Sequence, residues 1–244
     1  MILVAGGDSM IWGSDLNDCH HGGLGGHSHA VYPALLAKES NMKYVCAAYP
    51  GNSNDAIARM TMLACDGLKD QDKFALVTWT FTSRFEFMFN YNTNTITSPW
   101  SSLNGNEPNN QTRIFSQQFF RHVGTKYEYQ IYNTLRSIIL LQTYFKEKKI
   151  PYMFTLTDNT AVSGYDDHMD SNLKILWEMI DWSQWFFFPK AEEDWLTTVP
   201  RGFYQWAIEN KYSMGHTSHP LEQAHQDAVK LIKEKFDELV KKNY

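Results

Sequence analysis

Two short stretches at opposite ends of the chain could share a proton. Near the start, the apolar run Ile2-Leu3-Val4-Ala5 leads into Gly6-Gly7-Asp8-Ser9, and His216-Thr217-Ser218-His219-Pro220 stands just before the last helical pattern. A serine hydroxyl becomes a useful nucleophile when a base takes its proton, and imidazole can take that proton and return it to a leaving group. Ser9 is therefore a candidate nucleophile and His219 a candidate base, although Asp-Ser after a strand also fits a plain helix N-cap. The nine histidines allow a second chemistry. His20, His21, His27 and His29 follow the serine in a glycine-rich loop, while His216, His219 and His225 lie near the other end. Three converging imidazoles can hold zinc with an open position for water. No HExxH-type helix accompanies them, and a histidine- and glycine-rich lid is the plainer reading.

For Ser9 and His219 to meet, both must lie on one rim of a sheet. Short apolar runs alternate with helical patterns along the chain, as in a parallel sheet covered by helices. The expected strands are Ile2 to Ala5, Lys43 to Ala48, Phe74 to Thr80, Pro151 to Leu156 and a fifth at Trp185 to Phe188. Helices are expected over Ala30 to Glu39, Asn54 to Leu68, Lys126 to Lys148 and Leu221 to Val240. In the last of these, Ala224, Ala228, Leu231, Ile232, Phe236 and Leu239 recur at helical spacing and should face inward. Residues 90–111 carry seven asparagines among Thr, Ser, Pro and Gly, which reads as a polar excursion on the carboxyl rim. No repeat and no second core is visible, so residues 1–244 are expected to form one domain of α/β class.

Composition narrows the partners. The 244 residues are 43% hydrophobic and 15% aromatic, enough for a large core, and the formal net charge of -5 offers no basic field for a phosphate backbone. Nucleic acid is not an expected partner. Three cysteines, Cys19, Cys46 and Cys65, are too few and too scattered for a disulfide framework. The start has no positive n-region and no apolar run reaches ~18 residues, so neither a signal peptide nor a membrane span is expected, and the cytoplasm is the expected compartment.

Three segments together resemble the SGNH hydrolases, also called the GDSL esterase/lipase superfamily. Gly7-Asp8-Ser9 is similar to that family's first block, Ala48-Tyr49-Pro50-Gly51-Asn52-Ser53-Asn54 to its second, and His219-Pro220 with His225 and Ala228 to its last. They occur in the family's order and span nearly the whole chain. The resemblance implies a three-layer α/β/α, flavodoxin-like sandwich with a central parallel sheet of about five strands. It also implies an acyl-serine mechanism with Ser9 as nucleophile, His219 as base, the amides of Ser9 and Gly51 in the oxyanion hole, and no cofactor. An ester, with an O-acetylated carbohydrate as one example, is the substrate class it suggests. The Asn-rich excursion also resembles SGNH-type proteins carried by bacteriophages.

Two positions depart from the pattern. Where the family's third block has an oxyanion-holding asparagine, this chain reads Thr78-Trp79-Thr80-Phe81, so Thr80 would stand in, with Asn54 or Asn52 as substitutes from the neighbouring turn. Asn54 also fits an N-cap of the helix it precedes. Where the last block has an aspartate three residues before the histidine, this chain has His216, which supplies no fixed negative charge. Asp158, Asp166 and Asp167 are eligible orienting groups by location, and a Ser9–His219 dyad is the working expectation. Asp8, Arg84 and Glu86 are candidates for the pocket wall, with a surface ion pair as the plain alternative. Most of the aromatic set Trp177, Trp182, Trp185, Phe186, Phe187, Phe188, Trp195, Phe203, Tyr204 and Trp206 fits core packing, but loop tryptophans could stack on sugar faces. Without the family's Asn and Asp, the same fold could serve as a carbohydrate-binding or structural protein without turnover.

Overall fold

The computed structural model describes residues 1–19, 26–89, 100–103, 110–163, 170–190 and 199–243. Four strands form the central sheet: β1 (Ile2–Gly6), β2 (Lys43–Cys46), β3 (Lys73–Trp79) and β6 (Tyr152–Leu156), in the order β2-β1-β3-β6 and all parallel. β1, β3 and β6 are buried along their whole length. A parallel sheet covered on both faces requires this, and explains why these segments read as continuous apolar runs.

Alternate residues of each strand feed opposite layers. Val4, Ala75, Val77 and Phe154 pack in one cluster with Ile57 of α3 (Asn54–Gly67) and with Leu135, Ile138 and Phe145 of α5 (Tyr127–Lys148). Leu3, Ala5, Leu76 and Met153 pack in the other with Leu36 of α2 (Tyr32–Glu39) and with Ala224, Ala228, Ile232, Phe236 and Leu239 of α9 (Glu222–Asn243). The result is an α/β/α sandwich, whose connections also carry α4 (Asn110–Phe119), α6 (Thr160–Ser163), α7 (Ser171–Glu178) and α8 (Phe203–Glu209). Leu231 is 38% exposed, so the inward stripe of α9 is one residue narrower than its sequence suggests.

The fifth strand does not form. Trp185 makes a single parallel bridge to Phe154, and Phe188 bridges Arg201 instead. Trp185 and Phe188 are buried there, whereas Phe186 and Phe187 are only partly so. The polar excursion is also not purely excursion. Within it, β5 (Trp100–Leu103) pairs antiparallel with β4 (Phe85–Met88), burying Leu103 completely; residues 90–99 and 104–109 lie outside the described set.

From β1 the chain passes outward to β2 and then returns across β1 to β3, so the strand order reverses between β1 and β3. The carboxyl ends of those strands open a crevice at this switch point, where ligands bind in open α/β sheets. Ser9, Gly51 and Thr80 follow β1, β2 and β3 respectively.

Candidate active site

Ser9 opens the short helix α1 (Ser9–Trp12), whose N-cap is Asp8, with the Asp8 carboxylate accepting from the Met10 amide at 3.0 Å. The N-cap reading of Asp8 and the placement of Ser9 at a strand end are therefore both realised by one turn. The two glycines before Ser9 serve packing: a Cβ on Gly6 would lie 2.2 Å from Thr61 Oγ1, and one on Gly7 2.5 Å from an Ile11 side-chain carbon.

His219 reaches Ser9 from the other end of the chain. The Ser9 Oγ to His219 Nε2 distance is 2.7 Å, a hydrogen bond the hydroxyl donates when Nε2 is unprotonated. Residues 213–221 hold the ring in place through a tight turn. The Gly215 amide donates to the His219 carbonyl at 2.8 Å, Leu221 N donates to Ser213 O at 3.0 Å, and Met214 bridges Pro220. Ser218 sits at φ +65, in the left-handed region, directly before the histidine. Behind the turn, buried His225 accepts the Tyr32 amide at 3.1 Å on Nδ1 and bonds the backbone of Pro220. Burial, followed by the nearness of His219, pushes the His225 pKa down to about 3, so this ring is neutral.

The carboxylate that meets the His219 ring is Asp15, which is not among the orienting candidates expected from the sequence. Asp15 follows α1 by three residues, after Gly13 turns the chain at φ +81. Its Oδ2 lies 3.2 Å from His219 Nδ1, and the Thr217 hydroxyl stands 2.7 Å from the same nitrogen. Thr217 also donates to Asp15, from its hydroxyl at 2.8 Å and its amide at 2.8 Å, and the His219 amide adds a fourth donor at 3.3 Å. A carboxylate accepts only, so the Thr217 hydroxyl proton goes to Asp15 and its oxygen is left to accept from Nδ1–H. Both partners thus place the imidazole proton on Nδ1 and leave Nε2 for Ser9. Burial raises the Asp15 pKa, but the bonds from Thr217 and His219 outweigh it and hold the carboxyl below its ordinary value. Gly215 makes the approach possible, since a Cβ there would fall 2.3 Å from Asp15 Cβ.

The anticipated orienting residues lie elsewhere. His216 is exposed, and its side chain makes no hydrogen bond among the described residues. Asp158 accepts from the Thr160 amide at 2.9 Å and from the Gln205 side chain, capping the turn after β6. Asp166 and Asp167 lie outside the described residues, as do His20, His21 and Trp195. The dyad is thereby extended to a Ser9–His219–Asp15 chain. Among the described residues no three or more His, Cys, Asp and Glu side chains are grouped to hold a metal ion, and His225 has both ring nitrogens engaged.

Two backbone donors of the site have no acceptor among the described residues. Among the described residues, the N–H groups of Ser9 and Gly51 donate to nothing, while Asn52 N bonds Tyr49 O and Ser53 N bonds Ser102 Oγ. Gly51 holds φ +80, which a glycine adopts without strain. Unpaired amides near a serine hydroxyl can hold a developing oxyanion. The side chains expected to join them are committed elsewhere. The Thr80 hydroxyl donates to Asp8 Oδ2 at 2.5 Å. Asn54 clasps the Thr80 backbone, accepting its N–H at 2.8 Å and donating to its C=O at 3.2 Å, and its amide also reaches Thr134 at 3.1 Å. Ser53, not Asn54, caps α3. Asn52 Nδ2 donates to Gly7 O at 3.0 Å.

Asp8 is completely buried and gathers donors from Met10, Thr80, Thr157 and Arg84. Arg84 pairs with Asp8 at 3.2 Å, and Glu86 pairs with Arg59 at 2.6 Å, so the two residues do not pair with each other. Beside Gly51 opens a groove of about 720 Å3 lined by Tyr49, Arg59, Met60, Leu63 and Trp100. Arg59 lies over the Trp100 ring at 4.7 Å. The tryptophans expected near the last block are mainly core residues: Trp185 and Trp206 are buried, and Trp177 and Trp182 pack on the α5 side.

No protein-family model matches the chain, and no curated protein matches it. Among the described residues no helix is long and apolar enough to cross a membrane. Among solved structures the chain is similar to psychrotrophic esterase EstA from Pseudoalteromonas sp., in a form inhibited by monoethylphosphonate. The identity is 11%, the match covers 99% of this chain and 97% of that one, and the TM-score is 0.47. At that identity and score, the likeness assigns neither family nor activity to this chain.

Proposed function

We propose that this chain is a serine hydrolase of SGNH type that cleaves carboxylic esters through an acyl-Ser9 intermediate. The observation that carries the reading is the continuous hydrogen-bond chain from Ser9 Oγ through His219 to Asp15, at 2.7 and 3.2 Å. Ser9 attacks the ester carbonyl carbon as its proton passes to His219 Nε2. The carbonyl oxygen takes the electron pair and accepts from the amides of Ser9 and Gly51. As the tetrahedral species collapses, the bond to the alcohol oxygen breaks, and His219 gives its proton to that oxygen. Water then repeats the sequence on the acyl-enzyme, releasing the acid and restoring the Ser9 hydroxyl. Asp15 stays ionised throughout and stabilises the imidazolium formed in each step.

The groove beside Gly51 supports a substrate larger than a bare acetyl ester. Exposed Tyr49 and Trp100, with the hydroxyls of Ser101 and Ser102, offer ring faces and polar groups in one channel, as an O-acetylated carbohydrate requires. Hydrolysis of p-nitrophenyl acetate by the wild type, with a burst of nitrophenol and loss of turnover in folded Ser9→Ala and His219→Ala variants, is the expected result. Equal rates in all three proteins would overturn the reading. A binding protein on the same fold would give no turnover from any of them.

A further inference from the structure

We propose that Arg84 is the positioning residue of the oxyanion pocket, the strut that joins the nucleophile turn to the Gly51 loop; this rests on the hydrolase reading above. The two free amides come from residues 42 positions apart on separate loops, so their mutual placement depends on whatever ties those loops together. Among the described residues three ties are present. Tyr49 N donates to Gly7 O at 3.3 Å, Asn52 Nδ2 donates to the same carbonyl at 3.0 Å, and Arg84 Nη1 bridges Asp8 and Asn52. That one nitrogen lies 3.2 Å from Asp8 Oδ2, 3.3 Å from Asn52 O and 3.1 Å from Thr80 Oγ1. It therefore touches the residue before the nucleophile, the residue after the oxyanion glycine, and the end of β3.

The guanidinium is itself held. It lies over the Phe81 ring at 4.8 Å, and its side chain is 18% exposed. Its charge has a second consequence. Asp8 is fully buried immediately before the residue whose amide meets the oxyanion, and an uncompensated carboxylate there would repel the charge that develops in the transition state. Arg84 supplies the balancing cation. Thr80 accepts from Arg84 and donates to Asp8, so its hydroxyl works inside this brace.

Both effects act on the transition state, so removing Arg84 should lower kcat and leave KM nearly unchanged. The test uses full-length wild type, Arg84→Ala and Arg84→Lys with p-nitrophenyl acetate, each checked for folding by circular dichroism. Arg84→Ala should lose kcat by ~10²-fold, the scale of one oxyanion donor set out of place. Millimolar guanidinium chloride should restore much of that loss in Arg84→Ala and leave the wild type unaffected. Arg84→Lys, which keeps the charge on a shorter reach, should fall between the two. Wild-type kcat in Arg84→Ala overturns the proposal, as does a raised KM at unchanged kcat, which would make Arg84 a ground-state substrate contact. A kcat loss in folded variants that neither lysine nor guanidinium relieves overturns it as well. If the wild type itself neither turns over the ester nor reacts at Ser9 with a fluorophosphonate, the hydrolase reading fails and this one falls with it.

Discussion

Replacing Asp15 by asparagine separates the role of its charge from that of its shape. In the native site Nδ1 of His219 faces two oxygens that accept, Asp15 Oδ2 at 3.2 Å and Thr217 Oγ1 at 2.7 Å, and the Thr217 proton is drawn to the carboxylate. An asparagine turned with its NH2 toward the ring would donate to Nδ1, move the imidazole proton to Nε2, and leave Ser9 without a base. Neutralising a triad aspartate in this way costs ~10⁴ in kcat. Here Thr217 keeps one acceptor on Nδ1, so part of the population should retain the right tautomer, and a loss of ~10³–10⁴ is expected. Asp15 does not line the groove, so KM should stay near the wild-type value. His216→Ala, at the family's acid position, should retain nearly full activity. The assay is steady-state hydrolysis of p-nitrophenyl acetate at neutral pH, with chemical denaturation to confirm folding. A folded Asp15→Asn protein with more than about a tenth of wild-type kcat, or an equal loss in His216→Ala, would show that the Asp15 charge does not orient His219.

Gly215→Ala should act on the same contact from the opposite loop: its Cβ would lie 2.3 Å from Asp15 Cβ, so kcat should fall by ~10²-fold or more, and an active, equally stable variant would contradict that. His225 should make the fold acid-sensitive. Its pKa rises from about 3 when folded to the ordinary 6.5 when unfolded, so below pH 6.5 the unfolded chain binds the extra proton and stability falls with pH until about pH 3. Between pH 7 and pH 5 this residue should cost about 2 kcal/mol in urea unfolding, and a His225→Gln variant with an unchanged acid slope would rule it out. Asn54→Ala leaves the buried backbone of Thr80 unpaired, and should cost about 2–3 kcal/mol in the same assay; a change below about 0.5 kcal/mol would show that Asn54 does not hold β3 to α3.

The sheet was legible because its strands are buried on both faces and therefore read as unbroken apolar runs. The fifth run, Trp185 to Phe188, has the same composition, but its residues bridge two different neighbours, Phe154 and Arg201, and composition does not encode that division. β5 was hidden for the opposite reason: of Trp100–Leu103 only Leu103 is buried, so a polar stretch conceals a half-exposed hairpin strand. In the site, Ser9, Gly51 and His219 were legible because each follows a strand or precedes α9. Asp15 was not, because nothing local distinguishes it from Asp18 three residues on; its role arises from a contact with residues 217 and 219, about 200 positions away. The signal that could have pointed to it is Gly215, a glycine with ordinary backbone that is needed only because Asp15 sits against it. Thr80 and Asn54 were expected as oxyanion donors and Arg84 as pocket wall; that they instead group around Asp8 and the Thr80 backbone depends on side-chain directions that spacing does not give.

Mass-spectrometric mapping of the adduct left by a fluorophosphonate on the folded protein tests Ser9 as the nucleophile. Phosphonylation needs an activated hydroxyl and donors for the phosphoryl oxygen together, which is the arrangement of Ser9, His219 and the two free amides. One adduct is expected, on Ser9, absent from Ser9→Ala and formed far more slowly in His219→Ala and Asp15→Asn. A folded wild-type protein that remains unmodified, or is modified at another residue with Ser9 intact, would contradict it.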